Sequence, residues 1–186
     1  MRRIVLLLIL VGMLTGCASS QAEMDKIVVL RQKILSSDNC EFETVITADY
    51  GDRIYTFALW CKSDSLGNVE FRVISPETIS DISGVISGES GKLNFDEQVL
   101  VFDTIADGQL SPVSAPWVFV HTLRSGYIKG CEKVAEGLHV QIDDSYAEGA
   151  LQLDIWFNES LQPIRAEIIW AGTRVLTLDV SKFHIL

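Results

Sequence analysis

The stretch that decides the fold is Cys40-Glu-Phe-Glu-Thr-Val-Ile-Thr-Ala48, then Asp49-Tyr50-Gly51-Asp52, then Arg53-Ile-Tyr-Thr-Phe-Ala-Leu-Trp-Cys61. Both arms alternate apolar and polar residues, the period of a half-buried strand. Gly51 supplies the positive φ that a tight hairpin turn centred on Tyr50-Gly51 requires. Setting Ile46 against Tyr55, Thr44 against Phe57, Phe42 against Leu59 and Cys40 against Cys61 makes one face of this hairpin apolar. Opposed β-carbons lie about 4.5–5.5 Å apart, near the separation a disulfide needs. The register therefore predicts a cross-strand Cys40–Cys61 disulfide with Cys131 free. The alternatives are reduced, buried thiols or a bridge through Cys131.

Outward from this hairpin, Ile27, Leu30, Ile34 and Leu35 recur at helical spacing and predict a helix over Met24–Leu35. Val69 to Ile74 alternates as a third strand. Ser75-Pro76 has the form of a helix start and predicts a short helical turn, Glu77 to Ile82. The Gly- and Ser-rich stretch Gly84–Gly91 predicts a hairpin or loop, followed by strands at Lys92–Phe95 and Val99–Phe102. After the acidic loop Asp103–Gln109, Pro112–Arg124 is expected to be helical and to end at Ser125-Gly126. Strands then follow at Tyr127–Ala135, Leu138–Ile142, Ala150–Phe157, Pro163–Trp170 and Arg174–Phe183, joined by short turns. Consecutive strands with short turns predict an antiparallel meander. The expected class is α+β, mainly β, in a single domain spanning 24–186.

At the N-terminus, Arg2 and Arg3 precede the uncharged run Ile4–Leu14, a basic segment followed by an apolar one of signal-peptide length. A spanning helix needs about 20 apolar residues, so 1–16 reads as a processing signal. Leu14-Thr15-Gly16-Cys17 resembles the lipobox read by the lipoprotein signal peptidase. That resemblance implies cleavage before Cys17, a lipid attached to its thiol, and a protein anchored on the extracytoplasmic face of the cell membrane. Residues 17–23 form the expected short linker. Ala18-Ser19 lacks an aspartate after Cys17, the inner-membrane retention cue of a Gram-negative host.

The formal charge is −10 among 186 residues, and removal of Arg2 and Arg3 makes the chain more acidic still. A basic phosphate-binding footprint is missing, so nucleic acid is not an expected partner. His121, His139 and His184 are scattered, without metal-ligand spacing, and neither metal nor cofactor is expected. Gly88-Glu-Ser90-Gly91 falls one residue short of a nucleophile elbow, and Ile86 stands where a P-loop needs glycine. A non-enzymatic binding role is expected.

The order of elements, with the phrases Val-Ile-Ser-Pro-Glu-Thr-Ile (73–79) and Asn-Glu-Ser-Leu-Gln-Pro-Ile (158–164), resembles the LolA/LolB superfamily of lipoprotein carriers and clostridial spore-germination lipoproteins. The resemblance implies a curved antiparallel sheet, an incomplete β-barrel, with the N-terminal helix and short helices covering its concave face. It also implies either a bound lipid or acyl chain, or a scaffold that recruits or stabilises an envelope enzyme. A lipid site needs unfilled apolar surface with few polar contacts. Phe57, Leu59, Phe71, Trp117, Phe119, Trp156 and Trp170 are the candidate lining residues, each of which could equally be core.

Overall fold

The first hairpin forms as β1 (Asn39–Asp49) and β2 (Ile54–Asp64). Its register is displaced from the expected one: Cys40 faces Ser63 and Phe42 faces Cys61. The turn lies one residue further along, with Tyr50 N–H donating to Arg53 O at 3.0 Å. Asp49 Oδ1 accepts from Gly51 N–H at 2.9 Å, and Gly51 takes φ +84°. Because side chains alternate with period two, a two-residue shift preserves the buried face while changing every cross-strand partner. The expected disulfide is thereby lost, and Cys40, Cys61 and Cys131 are free thiols. Cys40 Sγ instead lies 2.9 Å from Ser63 Oγ.

The computed structural model describes residues 16–186 apart from 52, 89, 96–97, 104, 107–108 and 148. The proposed signal segment and Leu14-Thr15 of the lipobox lie outside the described residues. Helix α1 spans Gly16–Ser36, starting well before Met24, so the stretch 17–23 expected as a linker is helical. Ala18, Gln21, Ala22 and Glu23 are good helix formers. Pairs one turn apart also support it: Gln21 Nε2 donates to Asp25 Oδ1 at 3.0 Å, and Lys26 Nζ to Glu23 Oε2 at 2.8 Å. A helix advances only about 1.5 Å per residue, against about 3.3–3.6 Å for extended chain, which shortens the reach of this segment.

β3 (Val69–Ser75) is followed by a single 3-10 turn, Glu77–Ile79, where a longer helix was expected. Val73 N–H takes the Ile82 carbonyl at 2.9 Å, drawing the chain straight into β4 (Ser83–Ser87). β5 (Ser90–Phe95) and β6 (Gln98–Asp103) complete the first meander. Glycine is needed at Gly84 because a β-carbon there would lie 2.7 Å from the Phe71 ring, and at Gly91 because it would overlap Phe102.

A small hairpin, β7 (Ile105–Ala106) and β8 (Gln109–Leu110), and a 3-10 turn, Pro112–Ser114, lead to helix α2 (Ala115–Ser125). β9 (Tyr127–Val134), β10 (Gly137–Asp143), β11 (Gln152–Phe157), β12 (Pro163–Trp170) and β13 (Thr173–Ile185) form the second meander. The strands make one eleven-stranded antiparallel sheet in the order β6-β5-β4-β3-β2-β1-β13-β12-β11-β10-β9, open at β6 and β9. The chain's first and last strands meet at its centre, from Cys40 opposite Ile185 to Ala48 opposite Leu176.

One face of this sheet carries the core. α2 lays Val118, Phe119, Val120 and Leu123 on it, and α1 adds Ile27, Leu30 and Ile34. Val118 and Val120 are poor helix formers by intrinsic propensity, and their burial outweighs that cost. Phe119 is enclosed by Phe42 and Phe183, with centroid distances of 5.5 and 6.4 Å, and Phe42 and Phe183 lie 6.0 Å apart.

Two outcomes are expected. Phe119→Ala will lower unfolding free energy by about 3–5 kcal/mol in a denaturant titration, the usual cost of truncating a buried phenylalanine. Burial pushes the thiols of Cys40 and Cys61 up, so both will resist alkylation in the native protein at pH 8. Both will react in denaturant without reductant, where a Cys40–Cys61 disulfide would leave them silent.

Candidate functional site

The residues expected to line a cavity do not converge. Leu59, Phe71 and Phe119 are fully buried in the core. Phe57, Trp117 and Trp170 are half-buried and packed against it, and Trp117 also stacks on His121 at 4.7 Å. Trp156 lies on the opposite face of the sheet, stacked on His139 at 4.6 Å. The space between sheet and α2 that an acyl chain would need holds the rings of Phe42, Phe119 and Phe183.

The outer face around Trp156 carries a cluster of paired charges. His139 Nδ1 lies 2.9 Å from Glu132 Oε1 and its Nε2 3.5 Å from Asp154 Oδ2. Glu167 pairs with Arg165 at 2.6 Å and Arg174 at 3.1 Å. The Glu167 pairs lie at the surface and contribute about 0–1 kcal/mol each, whereas His139 Nε2 is buried and has no hydrogen-bond partner. Among the described residues no three His, Cys, Asp or Glu side chains are grouped to hold a metal ion. No helix among them is long and apolar enough to cross a membrane.

A different place combines apolar lining with an unsatisfied polar group. A groove of about 670 Å³ runs between α1, the end of α2, the start of β9 and the β10–β11 loop. That volume falls within the roughly 300–1,000 Å³ of small-molecule sites. Met24 and Val28 of α1 and Ile128 of β9 supply apolar surface, and Tyr127 and Tyr146, with ring centroids 5.0 Å apart, supply aromatic surface.

Local sequence fixes these walls. Gly126 ends α2 through its N–H to Thr122 O at 2.8 Å. A β-carbon at Gly126 would lie 2.6 Å from Ile142 Cγ2, so glycine lets α2 turn tightly into β9 beside β10. Asp144 clamps the loop bearing Tyr146: its N–H donates to Leu151 O, and its Oδ1 accepts from Leu151 N–H, both at 2.9 Å.

Arg31 reaches into the same region. Its Nε donates to Leu123 O at 2.8 Å, tying α1 to α2. Its Nη2 is enclosed and has no hydrogen-bond partner, and burial lowers the guanidinium from its ordinary value. A charged donor left unpaired away from water costs more than the about 1–3 kcal/mol of a neutral one, a cost that an anionic or carbonyl oxygen would relieve if the side chains enclosing Nη2 moved aside. Sequence reasoning missed Arg31, although a signal existed: it stands between Ile27 and Ile34 at a position of the core-facing stripe, where a charged residue is out of place.

No family model matches the chain, and no curated protein matches its sequence. Similar solved structures do exist. A putative outer membrane lipoprotein-sorting protein domain from Vibrio parahaemolyticus is 8% identical, covering 86% of this chain and 91% of that one, with a TM-score of 0.45. A LolA superfamily protein from Nitrosomonas europaea is 12% identical, covering 86% and 93%, with a TM-score of 0.44. The Mycobacterium tuberculosis lipoprotein LppX is 12% identical, covering 87% and 93%, with a TM-score of 0.40.

Proposed function

We propose that the chain is a non-enzymatic binding module of the bacterial envelope, anchored through lipid on Cys17, which holds an acyl-bearing amphiphile in the groove between α1 and β9. The observation that carries this reading is the unpartnered guanidinium nitrogen of Arg31 beside apolar and aromatic surface. A hydrocarbon chain gains by leaving water, at about 25 cal/mol per Å². The headgroup oxygen supplies what Arg31 lacks. The ligand site is thus the groove at the end of the helices, because the interior is occupied by aromatic side chains. Two or three acyl chains on Cys17 would anchor the module stably, whereas one binds only marginally.

A second reading, a scaffold for an envelope protein, is favoured by the apolar side chains exposed along β6 and does not require a ligand in the groove.

Two measurements test the proposal. Metabolic labelling with a fatty-acid analogue in the native host will mark the protein and will be lost in Cys17→Ser; retention of the label refutes the anchor. A photoactivatable fatty acid, added to the full protein in nanodiscs, will crosslink to peptides within 22–36 and 125–146. Arg31→Met will reduce that labelling at least tenfold, as expected for one lost charge-assisted hydrogen bond of about 1.5–3 kcal/mol. Labelling unchanged by Arg31→Met, or confined to other peptides, refutes the groove as the site.

A further inference from the structure

The groove between α1 and β9 carries charges of both signs, and they are not spent on each other. Arg31 and Asp144 both line it. Arg31 gives its Nε to Leu123 O and has no partner at Nη2. Asp144 uses Oδ1 to hold the Leu151 N–H at 2.9 Å. Among the described residues neither forms an ion pair. Opposite charges sharing one groove of about 670 Å³ attract each other, the more so where bulk water is thinned. Here each is pinned to backbone instead, Arg31 to the end of α2 and Asp144 to the far side of its own loop. That leaves a cationic and an anionic group for something placed between them.

The walls set these groups in order. Met24, Val28 and Arg31 succeed one another along α1, and at about 1.5 Å per residue Arg31 stands about 10 Å along the axis from Met24. The apolar surface thus lies toward the start of α1 and the guanidinium toward its end. Tyr146, in the same loop as Asp144, meets Tyr127 with ring centroids 5.0 Å apart and the planes inclined at 44°, an open corner and not a closed stack. The two are 86% and 50% exposed. The face of an aromatic ring attracts a cation, and ligand ammonium groups are held by aromatic walls of this kind.

We infer that the amphiphile held in this groove has a zwitterionic headgroup: an anionic oxygen directed at Arg31, followed by a primary ammonium between Asp144 and the Tyr127–Tyr146 corner, as in a phosphoethanolamine lipid. The inference rests on the groove being the ligand site and adds which ligand it selects. A fatty acid satisfies Arg31 and leaves Asp144 unmatched, and a purely anionic headgroup brings like charge toward that carboxylate. A primary ammonium donates to the carboxylate while presenting its charge to the rings, whereas a quaternary one offers no N–H. Charge-assisted hydrogen bonds at both ends fix the direction of the headgroup. The formal charge of −10 also repels an anionic ligand at long range, and a zwitterion carries no net charge.

Competition tests the assignment. The full protein in phosphatidylglycerol nanodiscs is labelled with a photoactivatable fatty acid. Lysophosphatidylethanolamine is then compared with its N-acetyl derivative, which keeps the chain and the phosphate and loses the ammonium. Lysophosphatidylethanolamine will displace the groove label at about tenfold lower concentration, as expected for one charge-assisted contact. Asp144→Asn keeps an oxygen for the Leu151 N–H and removes the charge, so it will bring the two competitors within about twofold of each other. Equal displacement by the two in the unaltered protein, or a full preference kept in Asp144→Asn, overturns the headgroup assignment and leaves the groove standing as an acyl site. Absence of label from the groove peptides refutes the groove itself, and the headgroup assignment with it.

Discussion

The pairing of β1 with β13 is the constraint on which the rest of the molecule depends. Each strand ends one of two meanders, and their ladder from Cys40–Ile185 to Ala48–Leu176 turns two modest sheets into one. With the chain's first and last strands at the centre, strands adjacent in sequence on either side of the middle segment, β6 and β9, must lie at opposite edges. The connection between them therefore has to cross the sheet. It crosses on the buried face as α2, and Phe119 goes with it into the contact with Phe42 and Phe183. The filled interior is thus a consequence of topology as well as of side-chain size.

Much of this was legible in the sequence, because alternation of apolar and polar residues is imposed by burial of one sheet face. The strands from Val69 to Ser75 and Pro163 to Trp170 follow directly from that pattern. Register did not follow, since period-two alternation fixes the face of each side chain and not its partner. Cys40 and Cys61 accordingly share a face, as the pattern requires, without being opposed. The start of α1 was obscured because small, polar residues such as Ala18, Ser19 and Ser20 suit both a linker and a helix. At the candidate site, selection by aromatic character found core residues such as Phe71, whereas the groove is marked by Arg31, a charge in an apolar stripe. Aromatic content reports burial, and a void or an orphaned donor depends on three-dimensional placement that composition does not carry.

The helix α1 ties these features together. Its buried stripe, Ile27, Leu30 and Ile34, docks it on the sheet, while Arg31 fastens it to the carbonyl of Leu123 at the end of α2. That bond uses only one nitrogen of the guanidinium. A side chain fixed by Nε and unsatisfied at Nη2 is held in place before any ligand arrives, so a ligand oxygen meeting it would not have to supply the entropy of ordering a long side chain. The half-satisfied arginine is therefore better suited to recognition than to stability alone, which a neutral side chain of similar volume would serve with less desolvation.

The edges complete the same logic. An open sheet must dispose of two unpaired strands, and among the described residues it is β9 that receives a helix, because α1 and α2 both converge on the end of the sheet where β9 begins. Covering β9 creates a groove, since a helix laid beside an edge leaves a seam that side chains such as Tyr127 and Tyr146 line without closing. Leaving β6 bare preserves a strand whose hydrogen-bonding groups face outward and whose side chains are apolar on both sides. Charged residues would have made that edge inert at little cost to the fold, because its exposed positions contribute little to the core. Their absence from Val99-Leu100-Val101, in a chain otherwise so acidic, leaves this edge apolar and exposed.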